Sequence, residues 1–312
     1  MHLQRCLARD ARCNAASLPC LPGVVAYASL ADRTSLATPS LTLENMAIVQ
    51  EIITSRANPR VKQLRAAFAG QARLSRGLIA IEGDHLLEEA LASGQVIKSI
   101  FVSERRPLLG DLPRGVEVIT LAQDVFSSCM ETQTPQGIAA LLVPPSTPIE
   151  RMVAGSPLLV IAVGLQDPGN LGTLIRSAVA FGATGVLTTP GTVSAWNQKC
   201  IRASAGSVFR IPIEATNPDV MELLAEHQIA LLAAVKDDVH SMIETNLTEP
   251  CALLIGNEGA GLPAEWLARA HRRITIPCPG AVESLNAAVA GSLLLYEASR
   301  QRAALRIERS QT

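Results

Sequence analysis

The sequence is short of aromatic residues: 5 Phe, 2 Trp and 2 Tyr make up 3% of the chain. So few rings argue against a base-stacking platform of the kind that binds single strands. The chain also lacks a charge surplus, because 27 Lys and Arg stand against 28 Asp and Glu, a net charge of -1. That balance excludes a histone-like polycation and a disordered polyelectrolyte, and it confines any nucleic-acid contact to a local basic patch. No apolar run reaches the roughly 18 residues of a membrane span. Residues 18–31 come nearest, but Asp10, Pro19 and Pro22 spoil their likeness to a secretory signal. The seven cysteines, Cys6, Cys13, Cys20, Cys129, Cys200, Cys251 and Cys278, form no C-x-x-C pair and no finger spacing with histidine. Cys6, Cys13 and Cys20 recur at a fixed interval but have no fourth ligand beside them, so no metal site is assigned. Free thiols in a reducing cytoplasm are the expectation. The histidines are scattered and form neither an H-E-x-x-H pair nor a triad.

What is present is apolar and periodic. The chain has 312 residues, 48% of them hydrophobic, which allows one or two domains at about 150 residues each. Residues 1–45 read as an unstructured or dispensable extension, with Met46 as an alternative initiator. Residues 46–145 mix a basic helical segment with predicted strands at 79–81, 97–102 and 116–119 and a helix at 85–93. Pro144, Pro145 and Pro148 break regular structure, and 146–155 reads as a linker. From 156 to 312 apolar runs alternate with helical patterns, the rhythm of a helix-covered parallel sheet. Strands are predicted at 158–163, 185–188, 229–235, 252–255 and 273–276, the last two closing the sheet. Helices are predicted at 171–181 with Asn170 at the start, at 195–203, at 218–227, and at 284–302 with Ser284 as N-cap.

Three loops follow apolar strands in this second block. The first runs from Gly164 through Asp167, Gly169, Asn170 and Gly172 to Arg176; the second is Gly256-Asn257-Glu258-Gly259-Ala260-Gly261-Leu262-Pro263. The third runs from Ile276-Pro277-Cys278-Pro279-Gly280 to Glu283-Ser284-Leu285-Asn286. In an open α/β sheet, loops at the carboxyl ends of strands converge on one crevice, and that convergence is the argument for a site. The second loop reverses the dinucleotide order G-x-G-x-x-G, and no loop carries G-K-[ST]. A dehydrogenase and a P-loop ATPase are therefore disfavoured. Taken singly, each polar residue has a plain alternative: Arg176 as a solvated helix arginine, Glu258 as an ion-pair partner, Ser284 as a cap. Asn286, in an apolar helix opening, is harder to dismiss, because a buried amide needs partners.

Together these three stretches, in this order, closely resemble the signature motifs of the SpoU/TrmH branch of the SPOUT RNA methyltransferases, over about residues 50–303. The block from Arg202 through Gly206 and Ser207 to Ile211-Pro212 resembles the stretch between the family's first two motifs. Asn58-Pro59-Arg60-Val61-Lys62, with Ile81-Glu82-Gly83, resembles the small domain that many members carry in front. The resemblance implies an α/β fold: a parallel-sheet catalytic domain with a trefoil knot, preceded by a small α/β substrate-binding domain. General topology rules argue against threaded chains, so periodicity could not have indicated the knot. It further implies S-adenosyl-L-methionine as cofactor, held by backbone at Leu254, Gly256, Ile276 and Leu285. Glycine at 256 suits a close approach of backbone to ligand. The implied reaction is methyl transfer to a ribose 2'-hydroxyl. Asn170 and Arg176 form the leading catalytic pair, Glu258, Ser284 and Asn286 are further polar members, and a homodimer completes the site. Because a guanidinium stays protonated in proteins, Arg176 is read as an electrostatic clamp on the developing alkoxide or a phosphate.

For the RNA itself, Arg56, Arg60, Lys62, Arg65, Arg73 and Arg76 fall in a stretch without acidic residues, a candidate phosphate-binding face whose plain alternative is a solvated helix surface. Lys199, Arg202 and Arg210 are candidates to extend it. The expected partner is structured RNA, rRNA ahead of tRNA, in the cytoplasm and without membrane contact. A silent RNA-binding or ribosome-assembly protein of the same fold is the competing class.

Overall fold

The computed structural model describes residues 51–70, 77–106, 115–145, 148–236, 240–280 and 284–311, with side chains to 307. The extension at 1–45, the three N-terminal cysteines, Arg73, Arg76 and Glu283 lie outside the described residues.

The first helix, α1 (Pro59–Phe68), starts where Asn58 accepts the Arg60 N–H at 2.8 Å and Pro59 fixes the first turn; it buries Val61, Leu64, Ala67 and Phe68 on one face. Strands β1 (Ile79–Glu82), β2 (Ile97–Ser103), β3 (Glu117–Leu121) and β4 (Ile138–Leu142) form a sheet of order β1-β4-β2-β3. β4 has no counterpart among the sequence expectations. It lies between β1 and β2 and pairs antiparallel with both, while β2 and β3 run parallel. Helices α2 (Asp84–Ala92) and α3 (Gln123–Ser127) complete this part. Its alternating side chains divide between two faces. Ala80, Phe101, Leu121 and Leu141 join α1 and α3 in one cluster, whereas Ile81, Ile100, Val102 and Ala140 join α2 in another.

The second sheet contains β5 (Leu158–Ala162), β6 (Gly185–Thr188), β7 (Ile213–Ala215), β8 (Ala230–Ala234), β9 (Cys251–Ile255) and β10 (Arg272–Ile274). All its pairings are parallel, in the order β10-β8-β9-β5-β6-β7. The fully buried runs of β5 and β9 are what two helix-covered faces require. Helices α4 (Pro168–Ala180), α5 (Gln198–Ala203) and α8 (Ala287–Gln311) cover one face, and α6 (Pro218–Glu226) and α7 (Ala264–Arg269) the other. Close packing of α4 on α5 uses Gly172, whose missing Cβ would lie 2.5 Å from the Cys200 carbonyl oxygen.

Several boundaries differ from expectation for local reasons. α4 begins at Pro168, capped by Asp167, so Asn170 sits inside the first turn rather than before it. Ser284 is not the cap of α8; Asn286 is, its Oδ1 accepting the N–H of Ala288 at 2.9 Å and of Val289 at 3.2 Å. α5 is shorter than read, because Asn197 caps it. β9 does not close the sheet but lies between β8 and β5; of these two strands β10 alone is at an edge. The edge strand β7 was not expected; its three residues lack a buried run.

The segment 148–155 does not behave as a loose connector, since Met152 and Val153 are buried in the α6/α7 cluster. The two sheets share one hydrophobic cluster, in which Ile81, Ile100 and Ala140 join Leu171, Ile175 and Ile201. Polar contacts lock the seam: Gln198 Nε2 donates to Ala80 O (2.8 Å), Gln95 Nε2 to Phe209 O (3.0 Å), and Arg210 Nε to Glu89 Oε2 (2.7 Å). The turn after α5 carries Gly206 in the left-handed region (φ 79°), where a Cβ would lie 2.7 Å from Glu89 Cβ. That glycine-bearing stretch therefore docks the small sheet. α1, with its basic residues, lies on the opposite face of that sheet from the second one.

Candidate active site

Strand order reverses direction at β5: β6 and β7 lie to one side, β9 and β8 to the other. The loops leaving β5 and β9 therefore diverge and leave a crevice at the carboxyl ends of the strands. The first two glycine loops meet there. Asn257 Nδ2 donates to Gly164 O at 3.1 Å, while its Oδ1 accepts the N–H of Gly259 (2.9 Å) and of Ala260 (3.2 Å). A reciprocal backbone pair between Asn257 and Gly261 closes the turn. Gly256 is needed for that closure, because a Cβ there would meet the Gly261 carbonyl carbon and oxygen at 2.6 Å and Leu262 N at 2.8 Å. Gly256 also lies on the wall of the cavity beside this turn.

Beside the turn runs a chain of polar side chains. Asn286 Nδ2 donates to Asn170 Oδ1 at 3.0 Å, and Asn170 Nδ2 donates to Glu258 Oε1. These two contacts fix the direction of the Asn170 amide. Asp167, which the sequence reading had not singled out, holds the chain from below. Its Oδ1 accepts the Asn170 backbone N–H at 2.9 Å, and its Oδ2 pairs with Lys199 Nζ of α5 at 2.9 Å. The Lys199 ammonium and the Asn170 N–H hold the Asp167 carboxyl below its ordinary value. An Asp-Pro pair opening a helix was the available signal. Asn257, the other omission, was visible only as one more residue of the glycine loop.

A cavity of about 800 Å³ opens beside this chain, lined by Gly256, Glu258, Ile276, Ser284 and Leu285 among others. Such a volume is ordinary for a small-molecule site. Leu254 does not line it: the side chain is buried with the α6/α7 cluster, and its neighbour Ile255 faces the cavity instead. Ser284 is exposed on the cavity wall with no hydrogen bond to a described residue. Lys236 and the exposed Cys278 also reach the wall.

Arg176 stands apart. Six positions beyond Asn170, it is rotated about 120° around α4 and displaced about 9 Å along it. It is exposed, absent from the cavity wall, and unpaired with any described residue. α4 and α8 are joined by Ser177 Oγ and Ser292 Oγ at 2.6 Å and by the edge-on Phe181 and Tyr296 rings. There α8 exposes Val289 (47%), Leu293 (37%) and Tyr296 (53%).

The basic residues of the first part are largely engaged. Arg60 pairs with Glu117 at 2.8 Å, Arg56 with Asp124 at 3.4 Å, and Arg65 donates to Ser128 Oγ at 3.1 Å. Lys62 is exposed and has no partner among the described residues. Arg202 is likewise exposed, whereas Arg210 is held by Glu89.

Known proteins give this geometry its context. Residues 157–296 match the SpoU rRNA Methylase family and residues 58–140 the MRM3-like substrate binding domain. The 23S rRNA (guanosine(2553)-2'-O)-methyltransferase of Bacillus subtilis is 36% identical over 245 residues, covering 78% of this chain and 97% of the relative. The human mitochondrial rRNA methyltransferase 3 is 31% identical, with 73% of this chain and 69% of that protein covered. Among solved structures, the SpoU methyltransferase AviRb of Streptomyces viridochromogenes in complex with AdoMet superposes with a TM-score of 0.71. Identity there is 28%, with 79% of this chain and 98% of that one covered. Fold, site and relatives together define an α/β RNA methyltransferase that uses S-adenosyl-L-methionine. More narrowly, the chain belongs to the SpoU methylase family, in its SpoU/TrmH branch.

Proposed function

We propose that this protein transfers a methyl group from S-adenosyl-L-methionine to a ribose 2'-hydroxyl of large-subunit rRNA. The observation that carries the reading is the Asn286–Asn170–Glu258 chain beside the 800 Å³ cavity at the sheet's switch point. The cavity suits the cofactor: Ile255, Leu262 and Ile276 offer apolar wall for an adenine, and Lys236 offers a positive charge for the carboxylate of the amino-acid end. Bound there, the cofactor supplies an electrophilic methyl group on a sulfonium.

The chain's own residues supply position and electrostatics. Glu258 is the one carboxylate among the described residues lining the cavity, and Asn170 fixes its direction. In this reading Glu258 takes the 2'-hydroxyl proton, a role a guanidinium cannot fill. Arg176 stabilises the developing alkoxide or an adjacent phosphate. Because it is absent from the wall of its own cavity, it serves the site of a second copy, and the exposed apolar stripe of Val289, Leu293 and Tyr296 on α8 supports a homodimer. A trefoil knot belongs to the same reading. It is supported by the path of the chain from the central β9 out to the edge strand β10 and back to α8 against α4. Residues 46–145 serve as the RNA substrate-binding domain, with Lys62 and the outer face of α1 toward phosphate. The protein works in the cytoplasm, and no helix among the described residues is long and apolar enough to cross a membrane.

Ribose methylation mapped across rRNA and tRNA of a deletion strain tests the target: one 23S-type position should lose its mark, and a loss in tRNA alone would overturn the rRNA assignment. Arg176→Ala should lower methyl transfer about 100- to 1,000-fold while calorimetry shows cofactor affinity nearly unchanged. Mixed dimers of Arg176→Ala with Glu258→Gln should regain activity, since one composite site is then intact. No recovery would place Arg176 at its own protomer's site.

A further inference from the structure

Two cations on the helices that cover the second sheet, Arg176 of α4 and Arg202 of α5, have no counter-ion among the described residues. Both come off the contact between their helices. α4 and α5 advance side by side: a Cβ at Gly169 would lie 3.5 Å from Lys199 Cε, and one at Gly172 would lie 2.5 Å from Cys200 O and 2.7 Å from Ala203 Cβ. Arg176 belongs to that same flank of α4. At about 100° per residue it projects about 20° from Gly169 and about 40° from Gly172, one turn or about 6 Å further along. Ser177, which meets α8, is turned about 100° away from it. On α5, Arg202 is the chain neighbour of Ala203, and its side chain is exposed. Gly172 lets the helices touch through backbone, so the fold fixes how the two arginine stems stand to one another.

The cations on either side are treated differently. Lys199 is matched by Asp167 at 2.9 Å and Arg210 by Glu89 at 2.7 Å. Along one ridge, then, the flanking charges are neutralised within the chain and the central two are left for an anion from outside. A cation in the last turn of α5 also offsets the helix dipole, but that role needs only a charge and not a guanidinium. Two planar forks side by side suit the non-bridging oxygens of a phosphodiester.

We propose that Arg202 binds the RNA substrate together with Arg176, the two guanidiniums closing on the phosphate next to the target ribose. The inference rests on the RNA methyltransferase reading above and names a further substrate-binding residue for it. Arg176 bridges that phosphate and the developing alkoxide, while Arg202 supplies the second fork to the phosphate and so holds the ribose in line. Because α4 and α5 are packed as one unit, Arg202 serves whichever site Arg176 serves.

Filter binding of the full chain to rRNA from a deletion strain, without S-adenosyl-L-methionine and over a range of salt concentrations, tests the pair. Arg202→Gln should weaken binding about tenfold and reduce the salt slope by about one unit. In methyl transfer the KM for RNA should rise by a similar factor while kcat stays within about threefold of the parent's. Arg202→Lys, which keeps the charge without the fork, should restore the slope but only part of the affinity. Arg176→Gln and Arg202→Gln combined should cost less than the two single losses together, because both act on one phosphate. Unchanged affinity and slope in Arg202→Gln, or strictly additive losses, overturns the proposal. So does weakened self-association with RNA affinity intact, which would assign Arg202 to an acidic protein surface. If Arg202→Gln melts early, Arg202→Lys decides, and affinity equal to the parent's at every salt concentration overturns the fork. A parent that binds RNA without methylating it would fail the reaction proposed above and not this phosphate contact.

Discussion

The basic helix of the first part and the polar loops of the second make an instructive pair. In α1 the charges concentrated in sequence are dispersed in space: Arg56, Arg60 and Arg65 each find a partner on β3, α3 or the turn after it. In the crevice the reverse happens, since Asn170, Glu258 and Asn286 are far apart in sequence and end in one hydrogen-bonded chain. A run of like charge is thus a poor guide to free charge, because the fold brings counter-ions from elsewhere. Loops that follow strands are a better guide, because parallel strands deliver them to a common end.

The largest break in this comparison comes from the crevice turn. Gly256→Ala should reduce cofactor affinity at least about 100-fold by calorimetry, because an added Cβ collides with backbone of the same loop at 2.6 Å. An affinity near the parent's would mean that the turn has room to shift. Asn286 comes next, as it serves two purposes. Asn286→Asp keeps the acceptor that caps α8 but removes the donor to Asn170, so the melting temperature should hold while activity falls about tenfold or more. Asn286→Ala should lose both, with about 1 kcal/mol of stability gone to the missing cap.

On the basic side effects should be smaller and unequal. Lys62→Ala should flatten the salt dependence of RNA binding by about one unit of slope, and Arg60→Ala by less, because Arg60 is already held by Glu117. Equal slopes would show that RNA displaces the ion pair. The smallest effect concerns acid. Asp167 has its pKa lowered below 3.8 in the folded chain by Lys199 and the Asn170 N–H. A depressed carboxyl contributes stability that is present above its unfolded value and lost as pH falls through its folded one. Asp167→Asn should therefore shift the acid-unfolding curve only below about pH 4, and slightly, since the pair is exposed.

Much of the fold is legible in the residues. Continuous apolar runs such as Leu158–Ala162 announce strands buried on both faces, and their alternation with amphipathic helices announces a parallel sheet. β7 was not legible, because three half-exposed residues carry no period. β4 was missed although every one of its residues is buried, since a short apolar run before a proline cluster looks like the approach to a linker. At the site the sequence identifies which loops matter and which residue types they carry. It misplaces the caps, because Asp167 and Asn286 compete with neighbours of similar capping preference, and only backbone geometry chooses between them.

By itself, then, the sequence determined the parallel α/β class, the three loops and the family to which they belong. Local patterning carries that much, since period and loop composition are properties of neighbouring residues. The tertiary structure decided that Arg176 is exposed off the cavity wall, that Leu254 is core, and that Asp167 anchors Asn170. It also decided that the two sheets share one core. Those facts depend on helix rotation and on contacts between distant segments, such as Gln198 with Ala80, 118 residues apart. No local period encodes them.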